Sequence, residues 1–252
     1  MSHRRLRLLS ANIQAGSSTR GYHDYVARSW SHVLPAGNKR GALDAIAELA
    51  GRHDIVGLQE ADPGSLRSGF TNQTHYLAER AGFAYWSHQP NRSVAGVASS
   101  ANGLLSRLEP RRVEDHPLPG RVKGRGVLLA SFGDGPDALL VAIAHLSLGS
   151  QSRQRQLDFI AELIGRRTHS VLMGDFNCDP DCREMQALYR HTRLQPPSQP
   201  LPTFPAWKPQ RAIDHMLVTP TLPVATMQAL PAAHSDHLAL SVALDVPEVA
   251  LR

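Results

Sequence analysis

The chain has 252 residues, 42% of them hydrophobic, and carries 27 Lys and Arg against 22 Asp and Glu. That length suits one large domain or two small ones, and the apolar share is enough for a sizeable core. Two cysteines, Cys178 and Cys182, exclude a disulfide framework and suit a reducing compartment. No run reaches the roughly 18 apolar residues of a membrane span.

The opening "MSHRRLRLLSANIQ" has basic residues but only a short apolar run, so it reads as a first strand over residues 6–13 and not as a signal peptide. The expected location is the cytoplasm. Tyr22, Val26, Trp30 and Val33 then recur every three or four residues and predict a short amphipathic helix. "GALDAIAELAGRH" predicts a better one, with Leu43, Ile46, Ala47 and Leu49 or Ala50 on one face and Gly51 at its end. "DIVGLQEAD" reads as a strand, and "NQTHYLAERAG" as a helix closed by Gly82. Short strands are expected at 83–88, 103–107, 125–131 and 138–145. "SRQRQLDFIAELIGRR" is an amphipathic helix, with Leu157, Ile160, Ala161 and Ile164 together. Residues 170–174 form a strand, 185–189 a short helix, and after a Pro-rich loop "AIDHMLVT" and residues 238–244 form the last strands. No Gly/Ser linker divides the chain, which predicts one domain over 1–252.

A strand–helix–strand pattern occurs twice, and a polar residue stands at each strand end: Asn12 and Glu60, then His145 and Asp175. This reads as an internal duplication. In layered α/β folds reactive groups gather beyond the ends of adjacent strands, so the four are expected to converge. In "MGDFN", Asp175 and Asn177 point the same way along an extended backbone and Phe176 the other. Asp214 in "IDHML" is a mid-strand acid, which strands disfavour, and "SDHLAL" sets Asp236 and His237 before the last strand. Carboxylates and carboxamide oxygens are hard ligands that suit Mg²⁺ or Mn²⁺. A histidine backed by an aspartate can move a proton, and Asn donors can face a phosphoryl transition state. Together they point to metal-assisted phosphate ester hydrolysis.

At these residues the sequence resembles the endonuclease/exonuclease/phosphatase superfamily. The matches are "SANIQ", "LQEAD", "GLLSR", "AHLSLGSQSRQRQ", "MGDFN", "IDHML" and "SDHLAL", in the family's order over nearly the whole chain. The resemblance implies a four-layer αββα sandwich, two mixed β-sheets face to face with helices outside, and in-line attack of water on phosphorus with Mg²⁺ or Mn²⁺. It makes Glu60 the principal metal ligand, with Asn12 beside it and Asp236 close by. Asp175 orients or deprotonates the water, or His237 does, held by Asp214. Asn177 holds phosphoryl oxygens, and His145 contacts the phosphate or the leaving group. Gln14 stands where some nuclease members carry an acid, which speaks against a second tightly held metal.

Other features are less specific. Arg40 and Arg153 head two helices and read as structural. Arg125 and Trp207 are candidate substrate contacts, while Tyr22, Tyr25, Trp30 and Phe204 line the cleft or pack long loops. Cys178 and Cys182 read as free thiols, because a zinc site needs more soft ligands. His215 and His234 read as structural or solvated. The basic balance permits an anionic partner, DNA or RNA among them, and a monomer is expected. The expected activity is a nuclease-like phosphodiesterase. The alternatives are a phosphatase or phospholipase-type hydrolase of a phosphorylated lipid or metabolite, and a non-catalytic anion-binding module.

Overall fold

Two stretches, "LLVAIAH" and "SVLMGD", are apolar at nearly every position, the pattern of strands covered on both faces. Every residue of both is buried. The computed structural model describes residues 2–14, 39–65, 68–94, 98–120, 124–232 and 235–252, and the helix expected around Tyr22 to Val33 lies outside them, as does His234. In chain order the elements are β1 (His3–Asn12), α1 (Lys39–Ala50), β2 (Ile55–Ala61), α2 (Gln73–Ala81), β3 (Tyr85–Val94), β4 (Ala98–Ser106), β5 (Arg112–Pro117), β6 (Gly126–Phe132), β7 (Leu139–His145), α3 (Ser150–Ile164), β8 (Ser170–Asp175), α4 (Arg183–His191), β9 (Asp214–Val218), β10 (Val224–Pro231) and β11 (Leu238–Pro247).

They form a six-stranded sheet, β10-β11-β1-β2-β4-β3, and a five-stranded sheet, β5-β6-β7-β8-β9. Both are mixed. In the first, β1 and β2 are parallel and lie between antiparallel β11 and β4. In the second, β7 and β8 are parallel between antiparallel β6 and β9. Helix α1 joins one parallel pair and α3 the other, so the duplication expected from the polar strand ends is present in the topology.

Alternation along β1 shows how the layers are held. Leu8 faces the inter-sheet core with Ile55, Leu104, Val141, Ile143 and Met173. Its neighbour Leu9 faces the other way, into a cluster with Leu43, Ile46 and Ala50 of α1. On the far side, Leu157, Ile160 and Ile164 of α3 pack on Ala142 and Leu172. Helix, sheet, sheet and helix are therefore stacked in that order. At the rate of about 25 cal/mol per Å² of apolar surface, burying each such Leu or Ile contributes roughly 1.5–3 kcal/mol.

Two strands, β5 and β10, are absent from the sequence expectation. Both are edge strands with mainly exposed or half-exposed residues, so they lack the apolar alternation that marks a strand. Strands β3 and β4 also run further than their apolar residues suggest, as a long antiparallel hairpin.

Gly174 is required where the reactive strand ends. Its φ is +144°, and a Cβ there would lie 1.8 Å from the Ala144 carbonyl oxygen. Only glycine lets β8 lie so close to β7 one residue before Asp175. Gly174→Ala is expected to lower the unfolding free energy by roughly 3 kcal/mol or more. A urea midpoint equal to the parent's would show that the strand pair can relax.

Candidate active site

The strand ends meet between the two sheets. Asn12, last in β1, donates through Nδ2 to Asp175 Oδ2 at 3.1 Å, joining the end of one sheet to the end of the other. His145, last in β7, pairs in register with Asp175 and brings Nε2 to 3.4 Å from its Oδ2. The same nitrogen is 3.9 Å from Glu60 Oε1. Asp214, first in β9, is the register partner of Asp175 on the other side. His237 Nδ1 lies 2.8 Å from Asp214 Oδ2, and its Nε2 lies 3.9 Å from Asp175 Oδ2 and 3.7 Å from Asp236 Oδ1. Asn12, His145, Asp175, Asp214, Asp236 and His237 are all buried, whereas the Glu60 side chain is 37% exposed.

Two of these positions depart from ordinary backbone. Glu60 has φ +58° and Asn177 φ +55°, in the left-handed region that costs side-chain-bearing residues of order 1 kcal/mol or more. Glu60 sits where the β2–β4 register shifts between Leu58 and Ala61. Such a bulge re-aims a side chain, and here it accompanies the approach of Glu60 to His145. Asn177 follows the turn that buries Phe176 completely. Its backbone N–H donates to Asp175 Oδ1 at 3.0 Å, and its Nδ2 donates to the Leu146 carbonyl at 3.0 Å.

A set of supports absent from the sequence expectation holds the histidine–aspartate pair. Thr203, fully buried, donates through Oγ1 to Asp214 Oδ2 at 2.5 Å. The Phe204 ring lies 4.9 Å from the His237 ring. Ser235 Oγ donates to the Asn12 carbonyl at 2.7 Å and accepts from the His237 backbone N–H at 3.1 Å. Ala206 N–H donates to the Asp236 carbonyl at 2.7 Å, which brings the part-exposed Trp207 beside that loop. Thr203 lies in a Pro-rich loop where only the "TFP" triplet marks it. Ser235 adjoins "SDH", and the polar run there was the available signal.

Burial sets the charges. Asp175 is pushed up to about 7, first by burial and then by the Asp214 charge, while His237 opposes both. Burial alone would lower His237, but Asp214, as charge and hydrogen-bond acceptor, with Asp175 and Asp236, carries it up to about 10. His145 is held well below its ordinary value by burial, by Arg125 and by His237. Asp236 is raised, chiefly by burial. Near neutral pH the site therefore presents an imidazolium at His237, a neutral imidazole at His145 and an acid at Asp175 poised to gain or lose a proton. Groups so separated by environment are the usual mark of acid–base assignments.

A hard divalent cation fits the donor set. Among the described residues, ligand atoms of Asp175 and Asp214 lie within 4.8 Å of each other and of a His237 nitrogen, but His237 as an imidazolium offers no lone pair, so the cation would fall to carboxylates. Asp236 Oδ1 is buried without a hydrogen-bond partner, which a cation would satisfy. Of the three expected ligands, Glu60 offers a part-exposed carboxylate. Asn12 differs, because its Oδ1 accepts from the Gln14 backbone N–H at 3.1 Å and its amide serves Asp175. In this geometry Asn12 orients Asp175.

The sequence profile of the Endonuclease/Exonuclease/phosphatase family matches residues 9–237. The chain belongs to that family. Its members are phosphoester hydrolases, so hydrolysis of a phosphoester is supported and the substrate is left open. Solved structures agree on the fold. An endonuclease/exonuclease/phosphatase from Beutenbergia cavernae is 21% identical, with a TM-score of 0.75 over 96% of this chain and 72% of its own. The mannosyl-6-phosphatase Bt3783 of Bacteroides thetaiotaomicron is 18% identical, with a TM-score of 0.66 over 95% and 99% of the two chains. TDP2 of D. rerio, complexed with single-strand DNA product, is 14% identical, with a TM-score of 0.67 over 95% and 98%. No curated protein matches the sequence at a significant level.

Two predictions test the geometry without an activity. Thr203→Val removes a donor to a buried carboxylate and is expected to cost roughly 1.5–3 kcal/mol of unfolding free energy, with Thr203→Ser keeping most of it. Equal denaturant midpoints for all three proteins would show that the bond contributes nothing. His237 lies at about 10 when folded and near 6.5 when unfolded. Its contribution is therefore complete below about pH 6.5 and is lost as pH rises towards 10. Unfolding free energy should fall between about pH 7 and pH 10 in the parent and fall less in His237→Gln, by urea titration at each pH.

Proposed function

We propose that the chain is a Mg²⁺- or Mn²⁺-dependent phosphodiesterase acting on nucleic acid, with water attacking phosphorus in line. One observation carries the reading: a buried Asp175 where the strand ends of both sheets meet, bound by Asn12 and the Asn177 N–H, beside a His237 that Asp214 holds at 2.8 Å. Asp175 is the base, since a carboxylate near 7 takes a proton from water far better than one near 4. Asn12 and the Asn177 N–H fix its two oxygens. His237 supplies a charged donor to the phosphoryl oxygens, and Asp214 and Thr203 hold its ring in place. Asn177 stands at the same strand end to hold a further oxygen. His145, neutral and lodged between Glu60 and Asp175, contacts the phosphate or the leaving oxygen. Glu60 and Asp236, with Asn12 adjacent, would hold the metal. When bound, the metal polarises the phosphoryl oxygen and offsets charge as it develops.

Nucleic acid is favoured by the excess of basic residues, by the charge of Arg125 near His145 and by the part-exposed Trp207 ring, to which a base can stack. The same fold serves a mannosyl-6-phosphatase and a protein that holds single-stranded DNA product, so a phosphatase or phospholipase is the second reading of the same site. Two unpaired thiols fit a cytoplasmic setting, and among the described residues no helix is long and apolar enough to cross a membrane. A monomer is the proposed state.

Purified protein with Mg²⁺ or Mn²⁺ is to be tested on plasmid, single-stranded DNA, RNA, a bis-aryl phosphodiester, phosphoinositides and phospholipids. Cleavage of a nucleic acid is expected, abolished by chelation. Asp175→Asn and His237→Ala should each lower turnover by about 10²–10⁴-fold. Cleavage confined to a lipid or sugar phosphate replaces the substrate assignment. If no substrate is cut, or the variants equal the parent, the hydrolase reading is wrong.

A further inference from the structure

The catalytic reading leaves one reactive pair unused. Cys178 follows Asn177 directly, and Cys182 is the N-cap of α4. Both are free. Cys178 is buried in the outer core with Phe176, Met185 and Leu188, and the part-exposed Cys182 packs against that cluster. A turn brings them together: the Cys182 N–H donates to the Asp179 carbonyl at 3.2 Å, and both side chains pack into the same outer cluster. Two cysteines at the ends of one short turn and in one cluster are placed where a disulfide can close.

The environments of the two sulfurs differ. The Cys178 thiol first, then the Met185 backbone N–H, hold Cys182 below the usual thiol range against its partial burial. A position at a helix N-terminus favours the thiolate further. Cys178, as donor and as the more buried group, is pushed up. Cys182 therefore combines thiolate character with access, while Cys178 has neither. Glu184, beside Cys182, opposes the thiolate by its charge and as a hydrogen-bond acceptor, and Arg153 pairs with it at 3.0 Å.

We propose that Cys178 and Cys182 are a peroxide-oxidised thiol pair, with Cys182 the attacking sulfur and Cys178 the resolving one. The Cys182 thiolate attacks one oxygen of hydrogen peroxide, the O–O bond breaks and hydroxide leaves, giving a sulfenic acid. The Cys178 sulfur then attacks the Cys182 sulfur, the S–O bond breaks, and hydroxide departs as water with the Cys178 proton. Two thiols and one peroxide become one disulfide and two waters.

Closure reaches the active site through the backbone. An S–S bond fixes the two sulfurs about 2.05 Å apart. Cys178 is not free to absorb the change, because its carbonyl is tied to His215 Nε2 at 2.8 Å. Movement of Cys178 would then pass to its neighbour Asn177, already left-handed and held at Leu146. The oxidised protein is thus the less active form, a consequence that rests on the phosphodiesterase reading.

The test is peroxide treatment of the full chain, followed by intact mass and peptide mapping. A loss of two hydrogens is expected, with a Cys178–Cys182 link that dithiothreitol reverses. Cys182→Ser should fold, since serine is a favoured N-cap, and should form no link. In Cys178→Ser, which keeps a hydroxyl donor beside Cys182, dimedone should label Cys182. Failure to link in the parent, a link between chains, or dimedone labelling of Cys178 but not Cys182 when either cysteine is replaced would overturn the proposal. These readouts stand even if no phosphoester is cut. On any substrate the parent cleaves, oxidation should lower turnover about tenfold or more, reversibly, and leave Cys182→Ser unaffected. A formed disulfide with unchanged turnover would overturn the coupling to Asn177.

Discussion

The site depends on holding a buried Asp175 carboxylate in place where the two sheets meet. The carboxylate is buried between the strand ends of both sheets, with Asn12 and the Asn177 N–H on its oxygens, His145 close by and His237 a little further. A buried carboxylate with nothing to oppose it would gain a proton or admit water. Here the His237 charge limits the rise, and Asp214 keeps that charge in place. Neither half is stable alone: the imidazolium needs the acids, and the acids need the imidazolium. The site is therefore one electrostatic unit, assembled from segments as distant as Asn12 and His237.

The surrounding architecture fixes that unit. Parallel pairs β1–β2 and β7–β8 deliver Asn12 and His145 to the same end, and α1 and α3 cover the outer faces. Behind His145, Arg153 extends the fixing outward. It donates to the Ser147 and Leu148 carbonyls and pairs with Glu184 of α4 at 3.0 Å, both side chains being nearly buried. The helix-heading arginine is thus a strut between the post-β7 loop and α4, the structural role its position suggested.

Much of this was legible because the relevant strands lie inside the sheets. Residues 170–175 and 138–145 are mostly apolar on both faces and end in a polar residue, a pattern that periodicity and polarity both mark. The edge strands β5 and β10 escaped because solvent covers much of their surface and allows almost any side chain there. The acids and histidines of the site were legible as ordered motifs. Their partners were not. Thr203 looks like any loop threonine, since the bond to Asp214 exists only after the Pro-rich segment folds back on the strand. Asn12 was legible as a site residue, but which of its two amide atoms meets Asp175 is set by Gln14, through a backbone turn that no motif records.

The Asn12–Asp175 bond crosses from one sheet to the other, so it spans the plane along which the two layers would slide. A Cβ on Gly57 of the first sheet would meet Met173 Cε of the second at 2.7 Å, which shows how narrow the gap is just behind the site. The proton affinity of Asp175 is then a gauge of how the layers are stacked. Side chains deep in the core, Met173 against Gly57 among them, set how far apart the residues at the two strand ends stand.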